Sequence, residues 1–495
     1  EELKQAESRI KFGELFVLQL RAEMIRQSIK NYSAPKIKFK ESETKDFVKS
    51  LSFELTKDQK ISAWEILQDM ENGEPMNRLV EGDVGSGKTV VAGIAAYNVI
   101  LNGLQTVIMA PTEILAKQHF ETLTKLFGDS VSIALFTRAQ YSIFNIQYSS
   151  DTKTGQKKEL LNKIKNGEAK IVVGTHALLT QDVRFKNLGL VVVDEQHRFG
   201  VDQRKTIREK SGDKNTVPHF LSMTATPIPR SFALTLYGDL DLSIIKTMPI
   251  GRKAIMTRVV EPRNRSKAYE FIRAQVKQGR QVFVICPLIE EKVEGGSRPA
   301  RTGVQEKKSV MQEYEKLSKK IFPDLNIGFL HGKMKSCEKD KAMEQFSNGT
   351  INILVSTSVV EVGVDIPNAS VMMIEGAERF GLAQLHQFRG RVGRSEHQSY
   401  CFLFTDSDTD KVKKRLEFFE KNNDGFKVAE YDLEMRGPGE VYGVTQSGMM
   451  NFRLASMKDY DLIKLARKMA RDIDFEKYPE LKDRVKEWEG AVHLE

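Results

Sequence analysis

The stretch GDVGSGKT, residues 82–89, has the spacing G-x-x-x-x-G-K-[ST] of a phosphate-binding loop. Its glycines allow backbone N–H groups to turn inward around phosphates. The Lys88 ammonium can reach the β- and γ-phosphates, and the Thr89 hydroxyl is a ligand for Mg²⁺. The apolar run RLV precedes the loop, and VVAGIAAYNVI follows it as an expected buried helix. The segment therefore predicts a strand–loop–helix unit that binds ATP and Mg²⁺, and its glycines are Gly82, Gly85 and Gly87.

Length and composition are those of a soluble globular protein with several domains. The chain has 495 residues, 40% of them hydrophobic and 29% charged, which predicts two to four domains. No run approaches the roughly 18 apolar residues that a membrane span needs, so a membrane protein is excluded. Three widely separated cysteines fit neither a zinc site nor a disulfide framework and favour a reducing cytosol. The net charge of +9 is compatible with a polyanionic partner.

Short β-rich runs alternate with helical stretches twice along the chain. From about residue 46 to 245 the runs are TVIMA, AKIVVGT, LGLVVVDE and HFLSMTAT. The pattern restarts with QVFVICPLI, LNIGFLHG, NILVST, SVMMIEG and SYCFLFT. This alternation predicts two tandem α/β domains with parallel sheets, joined near residues 247–254. Residues 138–158 and 294–308 are rich in polar, Gly or charged residues, and we expect them to be mobile insertions.

Two further segments carry residues suited to phosphate chemistry. LVVVDEQHRFG is an apolar strand that ends in Asp194, suited to hold Mg²⁺, and Glu195, suited to activate water. Two surface acids at a strand end are the alternative. In SMTATPIPR, Thr224 and Thr226 follow another apolar strand and could sense the γ-phosphate, although a simple Ser/Thr turn explains them equally well.

The segment QLHQFRGRVGRS, residues 384–395, places basic residues in the second domain. If it is helical, Gln387, Arg391 and Arg394 lie at i, i+4 and i+7 on one face. We then expect the two arginines to act as fingers on ATP held by the first domain. A solvated basic helix end is the alternative, which the two glycines disfavour.

These segments resemble superfamily 2 helicases, whose motifs match LTKDQ, APTEILAKQ, GTHALL, DEQH, TAT, STSVVEVGVD and QFRGRVGR. Within that superfamily, DEQHRFGV, MTATPIPR, AERFGLAQLHQFRGRVGR and DGFKVAEYDLEMRGPGEVYGVTQSG resemble the RecG family of fork-reversing DNA translocases. The resemblance covers about residues 45–470. The first 45 residues resemble only the linker that follows the family's N-terminal wedge domain.

The resemblance implies roles for individual positions. Gln59 would recognise adenine, and Gly363 and Asp365 would close on the nucleotide from the second domain. Arg436 would stand at the start of a loop that moves duplex DNA. The implied units are a linker helix at 1–45, an ATP-binding RecA-like domain at 46–248, a second RecA-like domain at 249–423, and a helical hairpin, translocation loop and C-terminal helices at 424–495.

The sequence thus predicts a 3′–5′-type ATP-dependent motor that moves along duplex DNA and drives branch migration and fork regression. The expected partners are DNA duplexes, forks or junctions and no membrane, and the expected protein is a monomer in the bacterial cytoplasm, associated with the nucleoid. Two alternatives remain: a translocase of the transcription–repair-coupling type, and an ATP-binding switch or scaffold without turnover. RNA in place of DNA is compatible with the motor motifs alone.

Overall fold

A computed structural model of the chain describes residues 2–30, 32–138, 140–144, 153–195, 216–225, 240–249, 253–287, 303–357, 366–393, 397–436, 454–456 and 459–492. Within these ranges, no helix is both long enough and apolar enough to cross a lipid bilayer.

The first half of the chain forms an eight-stranded sheet in the order β4-β3-β5-β2-β6-β7-β1-β8. All neighbouring strands are parallel except β3 and β4. The central strands are continuous apolar runs because helices cover both faces of a parallel sheet. The strands are β1 (Asn77–Gly82), β2 (Gln105–Met109), β3 (Ile133–Phe136), β4 (Tyr141–Phe144), β5 (Ile171–Gly174), β6 (Leu188–Asp194), β7 (His219–Thr224) and β8 (Asp241–Ile245).

Within the described part of this domain, five helices accompany the sheet. They are α2 (Glu41–Ser50), α3 (Lys57–Glu71), α4 (Lys88–Leu101), α5 (Glu113–Phe127) and α6 (Lys153–Asn166). Helix α4 is buried along most of its length, as its apolar sequence predicts, and contributes Val91, Ile94 and Val99 to the core. Helix α3 begins where the Thr56 hydroxyl accepts from the Gln59 N–H in a capping box.

The second half of the chain forms a six-stranded parallel sheet in the order β11-β12-β10-β13-β14-β9. Its strands are β9 (Met256–Val260), β10 (Gln281–Ile285), β11 (Ile327–Leu330), β12 (Ile353–Ser356), β13 (Ala369–Ile374) and β14 (Tyr400–Phe404). Its helices are α7 (Arg265–Lys277), α8 (Gly303–Lys316), α9 (Ser336–Ser347), α10 (Leu382–Arg389), α11 (Asp410–Lys421) and α12 (Gly425–Arg436). The predicted fold class, two tandem parallel-sheet domains with a helical C-terminal element, is confirmed.

Three helices from the two ends of the described chain pack against one another. They are α1 (Glu2–Lys30), α13 (Tyr460–Arg471) and α14 (Pro479–Val492). Leu20 of α1 is fully buried against Ala470, Phe475 and Val485, so these helices share a small core of their own. We call α1, α13 and α14 the helix unit.

Regular structure is present within residues 138–158, which were expected to form a mobile insertion. Strand β4 pairs antiparallel with β3 at the sheet edge, and α6 begins at Lys153. Tyr141 and Ile143 of β4 pack against one core cluster of the first domain and Phe144 against another, so apolar contacts hold this short edge strand on the sheet. Similarly, α8 begins at Gly303, inside the second segment that was expected to be mobile.

Candidate nucleotide-binding site at the carboxyl edge of the first sheet

The order β6-β7-β1 brings three sequence motifs to one edge of the first sheet. These strands are parallel neighbours, so their carboxyl ends lie side by side. β1 runs into the loop at Gly82, β6 ends at Asp194, and β7 ends at Thr224, which is buried. Ligands of α/β sheets bind at this edge.

The loop between β1 and α4 has the backbone of a phosphate cradle. Gly85 and Gly87 adopt φ values of 81° and 88°, which residues with a Cβ rarely take. The Lys88 ammonium donates to the carbonyl oxygens of Gly82 at 2.7 Å and Asp83 at 2.9 Å. Burial lowers the pKa of Lys88 and outweighs the nearby carboxylates that act in the opposite direction.

Gln59 ties helix α3 to this loop. Its side-chain oxygen accepts from the Thr56 N–H at 2.8 Å, and its amide nitrogen donates to the Ser86 carbonyl at 2.8 Å. A Cβ added at Gly87 would lie 2.2 Å from that nitrogen, so the glycine is required for space as well as for its φ. The predicted adenine-recognising residue therefore also fixes the path of the phosphate loop.

Asp194 is held by a histidine that the sequence analysis missed. Nε2 of His119, on α5, lies 2.8 Å from Oδ2 of Asp194, and the Glu195 N–H donates to Oδ1 at 3.1 Å. Burial acts to raise the pKa of Asp194, but the hydrogen bond and charge of His119, together with Lys88, outweigh it, so the pKa is lowered. Asp194 is therefore a carboxylate at neutral pH.

Glu195 has an unusual backbone. Its φ is 55°, the single positive value among the described residues other than glycine. Such a conformation costs on the order of 1–3 kcal/mol and persists where the surroundings impose it. Here it turns the chain at the end of β6, and Glu195 lines the cleft beside Lys88.

The predicted helical face of Gln387, Arg391 and Arg394 is wrong. Helix α10 ends at Arg389, and Gly390 is its C-cap. A Cβ at Gly390 would lie 2.7 Å from Cβ of Val84, so the chain turns where it meets the phosphate loop. Past this turn, Arg391 is 5% exposed and still lines the cleft, whereas the half-buried Gln387 belongs to α10 and does not line it.

A hydrogen bond joins the two sheet domains beside the cleft. Nε2 of His386 lies 2.6 Å from Oδ1 of Asp83, and Nδ1 of His386 lies 2.9 Å from Nη2 of Arg389. A guanidinium only donates, so Nδ1 must accept and Nε2 must carry the proton given to Asp83. Burial acts to raise the pKa of Asp83, but His386, the Val84 N–H and Lys88 outweigh it and lower the pKa. His386 was not predicted as a site residue, although it lies inside the segment QLHQFRGRVGRS, in which arginines were predicted to act on ATP.

A cleft of about 510 Å³ unites these groups. The first domain lines it with the loop, with α5 and with the acid pair, and the second domain with Pro367 and Arg391. Its polar lining residues include Lys88, Thr89, Gln118, His119, Asp194, Glu195 and Arg391. Of the predicted site residues, Thr226, Gly363, Asp365 and Arg394 lie outside the described residues, and Arg436 is described only as the last residue of α12.

Replacing Gly87 with alanine should abolish nucleotide binding, because its Cβ would strike the Gln59 amide and its φ is unfavourable for alanine. Binding of a fluorescent ATP analogue measures the loss of nucleotide affinity, and thermal unfolding measures the loss of stability. Gly103→Ala is the matched control, since Gly103 has a φ of 78° but nothing within 4 Å of an added Cβ. We expect the control to lose roughly 1–2 kcal/mol of stability, the cost of a Cβ in left-handed backbone, and to bind nucleotide normally. Normal binding by Gly87→Ala would contradict the assigned geometry.

Most of the chain is similar to known protein families. Residues 56–234 match the DEAD/DEAH box helicase family, and residues 266–396 match the helicase conserved C-terminal domain. Residues 422–487 match the family described as ATP-dependent DNA helicase RecG, domain 3, C-terminal. Among solved structures, that of RecG bound to a three-way DNA junction is 42% identical, with a TM-score of 0.75, and the match covers 94% of this chain and 57% of that one.

Curated relatives give the same result. The ATP-dependent DNA helicase RecG of Thermotoga maritima is 44% identical over 476 residues, which is 96% of this chain and 58% of the relative. The Bacillus subtilis protein of the same name is 45% identical over 476 residues, 96% of this chain and 66% of the relative. The chain thus spans roughly three fifths of the length of these relatives. With more than 40% identity along nearly all of its residues, the chain belongs to the RecG family of helicases.

Proposed function

We propose that this chain is the motor of an ATP-driven translocase that moves along duplex DNA, and that in its full form it drives branch migration and replication-fork regression. The observation that supports this most is the composite cleft. The phosphate loop, Asp194 and Glu195 come from one sheet domain, and Arg391 comes from the other. A site divided in this way can link hydrolysis to movement of the domains.

In this proposal the first domain binds and positions the triphosphate. The amides of the loop and the Lys88 ammonium hold the phosphates, and Gln59 contacts the adenine while it keeps the loop in place. Lys88 now bonds two loop carbonyls, and phosphate oxygens would replace them as partners. Glu195 orients and activates the attacking water, and Thr224 and Thr226 sense the γ-phosphate.

The residues at the cleft also fit Mg²⁺. Thr89 offers a hydroxyl and Asp194 a carboxylate whose pKa is held low, and both line the same cleft. Oxygen ligands of this kind, together with phosphate and water, are what Mg²⁺ prefers. When bound, the metal would neutralise charge that develops on the phosphates.

Arg391 supplies positive charge from the second domain. Its place in the cleft, near enough to Lys88 to affect the pKa of Lys88, suits a group that stabilises the transition state. We assign the same role to Arg394, and we propose that Gly363 and Asp365 close on the nucleotide. Since both halves of the cleft belong to one chain, we propose a monomeric motor.

Duplex DNA is the partner we propose. The related RecG structure contains a three-way DNA junction, and the family model for the third RecG domain matches residues 422–487. The net charge of +9 suits a phosphate backbone. Because the relatives are bacterial, we place the protein in the bacterial cytoplasm with nucleoid DNA as its track. A coupling-type translocase and a switch without turnover remain the alternatives, and the RecG-specific model and the complete acid pair disfavour them.

Replacing His119 with alanine should move the acid limb of the ATPase pH profile to higher pH. The folded-state pKa of Asp194 is depressed, so its charge and the stability it provides are lost as the pH falls through that pKa. Without His119 the loss begins at higher pH. The measurement is kcat against pH, with His397→Ala, an exposed histidine of the second domain, as the control. Identical acid limbs in both variants would show that His119 does not lower the pKa of Asp194.

The proposed function itself is tested by the ATPase rate with branched, linear duplex and single-stranded DNA in parallel. Branched and duplex DNA should stimulate hydrolysis most, and the affinity should fall steeply with salt because the contacts are mainly to phosphates. Lys88→Ala lacks the phosphate contact and should fold and bind DNA without hydrolysis. Stimulation by RNA alone, or turnover that is indifferent to nucleic acid, would contradict a DNA translocase.

A further inference from the structure

The nucleotide cleft continues along helix α5, past the groups that face the phosphates. Gln118, Thr122 and Lys125 line it at i, i+4 and i+7, so they share one face of the helix. Seven residues of helix rise by about 10 Å. Gln118 is half-buried, whereas Thr122 and Lys125 are exposed. The cleft therefore opens to solvent between α5 and the first turn of α4, to which Val90 belongs. We call this opening the α5 groove.

The two helices that border the α5 groove are packed together beside it. A Cβ added at Gly93 of α4 would lie 2.6 Å from Cδ2 of Leu126, so the absence of a side chain there allows the close approach. Leu123 and Phe127 of α5 lie within 4 Å of the same point and are buried in the core of the first domain. Both sides of the groove are therefore fixed by the core of one domain.

The order of the strands places the α5 groove at the opposite side of the cleft from Gln59. Its neighbour Asp58 accepts from the backbone N–H groups that follow β8, on one side of the phosphate loop. On the other side come β7, then β6 with Asp194 and Glu195, and then β2, which leads into α5. A nucleotide with its adenine at Gln59 and its γ-phosphate at the acid pair therefore has the α5 groove beyond its terminal phosphate.

Hydrolysis in this arrangement leaves two products with different ways out. Attack of water on the γ-phosphorus breaks its bond to the β–γ bridging oxygen, which stays with ADP, and releases inorganic phosphate. ADP occupies the side of the cleft toward Gln59 and blocks that side for the phosphate. Asp194, a carboxylate because its pKa is held low, repels the new anion.

The mouth of the α5 groove carries one charge of each sign. Lys125 is the residue of the α5 lining that lies farthest along the helix, and Glu121 lies one turn before it. A cation in this place attracts an anion outward along the groove, and the carboxylate opposes this effect. The two charges can therefore be tested separately.

We propose that the α5 groove is the route by which inorganic phosphate leaves while ADP is still bound, with Thr122 and Lys125 at its exit. Gln118 and Thr122 offer an amide and a hydroxyl that can donate to a phosphate oxygen, and Lys125 offers an ammonium. The inference rests on the proposed function, because it gives these residues a role only in a chain that hydrolyses ATP. It gives Thr122 and Lys125 no part in the chemical step.

Beryllium fluoride, an anion similar to phosphate in size, tests the groove in the inward direction. It inhibits ATPases by binding beside ADP, so with ADP already bound it must enter by the route that phosphate takes out. The full chain with duplex DNA, Mg²⁺ and ADP is mixed with beryllium fluoride, and the loss of ATPase is followed in time. The association rate should fall by about fivefold or more in Lys125→Glu, the scale for reversing one charge a few ångströms away in water.

Matched variants separate the groove from general damage. Thr122→Tyr narrows the groove without changing its charge and should also slow association, whereas Thr122→Ser should not. Glu121→Gln removes the negative charge at the mouth and should raise the association rate. Lys165→Glu is the control, because Lys165 is likewise an exposed lysine in the last turn of its helix, but on α6 and outside the cleft. It should leave the association rate unchanged.

Single-turnover hydrolysis, measured after an acid quench, counts phosphate whether or not it has left the protein. Lys125→Glu and Thr122→Tyr should therefore hydrolyse ATP at the parental rate in this assay, although phosphate-sized anions pass the groove more slowly. A residue that acts in the chemical step would instead lower the quenched rate.

Three results would overturn the exit route: association that is unchanged in both Lys125→Glu and Thr122→Tyr, equal slowing in Lys165→Glu, or single-turnover hydrolysis that falls in proportion to association. A parental protein that does not hydrolyse ATP in the presence of DNA would instead refute the proposed function. Association of beryllium fluoride with the ADP-bound protein would still decide whether the groove admits an anion of this size.

Discussion

The hydrogen bond from Nε2 of His386 to Oδ1 of Asp83, 2.6 Å long and nearly buried, ties the second sheet domain to the phosphate loop of the first. Arg389 fixes the proton on Nε2 by donating to the other ring nitrogen, and is itself held by the carbonyls of Phe419 and Asn422. Hydrogen bonds to charged groups contribute about 1.5–3 kcal/mol each. This contact fixes how the two halves of the cleft face each other.

The two domains approach closely where α10 ends, and both contribute charged residues to the cleft. Gly390 leaves room for Val84, and the turn that follows delivers Arg391 into the cleft. Two cations and two carboxylates then share one partly closed site, with Lys88 buried among them. A triphosphate would add the negative charge that Lys88 and Arg391 are placed to receive.

Much of this arrangement could be predicted from local sequence. The apolar runs predicted the central strands of both sheets, because buried parallel strands are continuous in apolar residues. The loop at Gly82–Thr89 and the acids at 194 and 195 follow such runs directly, so their place at the carboxyl edge follows from the strand assignment. Edge strands β4 and β8 were missed, since half-exposed strands carry a weaker apolar pattern.

The features that could not be predicted depend on contacts between distant segments. Gly390, at the end of α10, leaves room for Val84, some 300 residues earlier, and no local pattern shows this contact. His119 contacts Asp194 and His386 contacts Asp83 through hydrogen bonds. Both bonds join residues that are far apart in the sequence and meet only in the folded chain. The ion pairs of Arg26 and Arg471, in the helix unit, with Asp241 of β8 likewise involve segments from the two ends of the described chain.

The central claim is that the second domain supplies a catalytic charge to ATP held by the first. Its most direct test is single-turnover hydrolysis by Arg391→Ala at saturating DNA, together with the Kd for ATP. A group that acts in the transition state predicts a loss in the hydrolysis rate on the order of 10³-fold with little change in Kd. An equal loss in ATP affinity with an unchanged hydrolysis rate would show that Arg391 only binds the ground state, and would contradict the account.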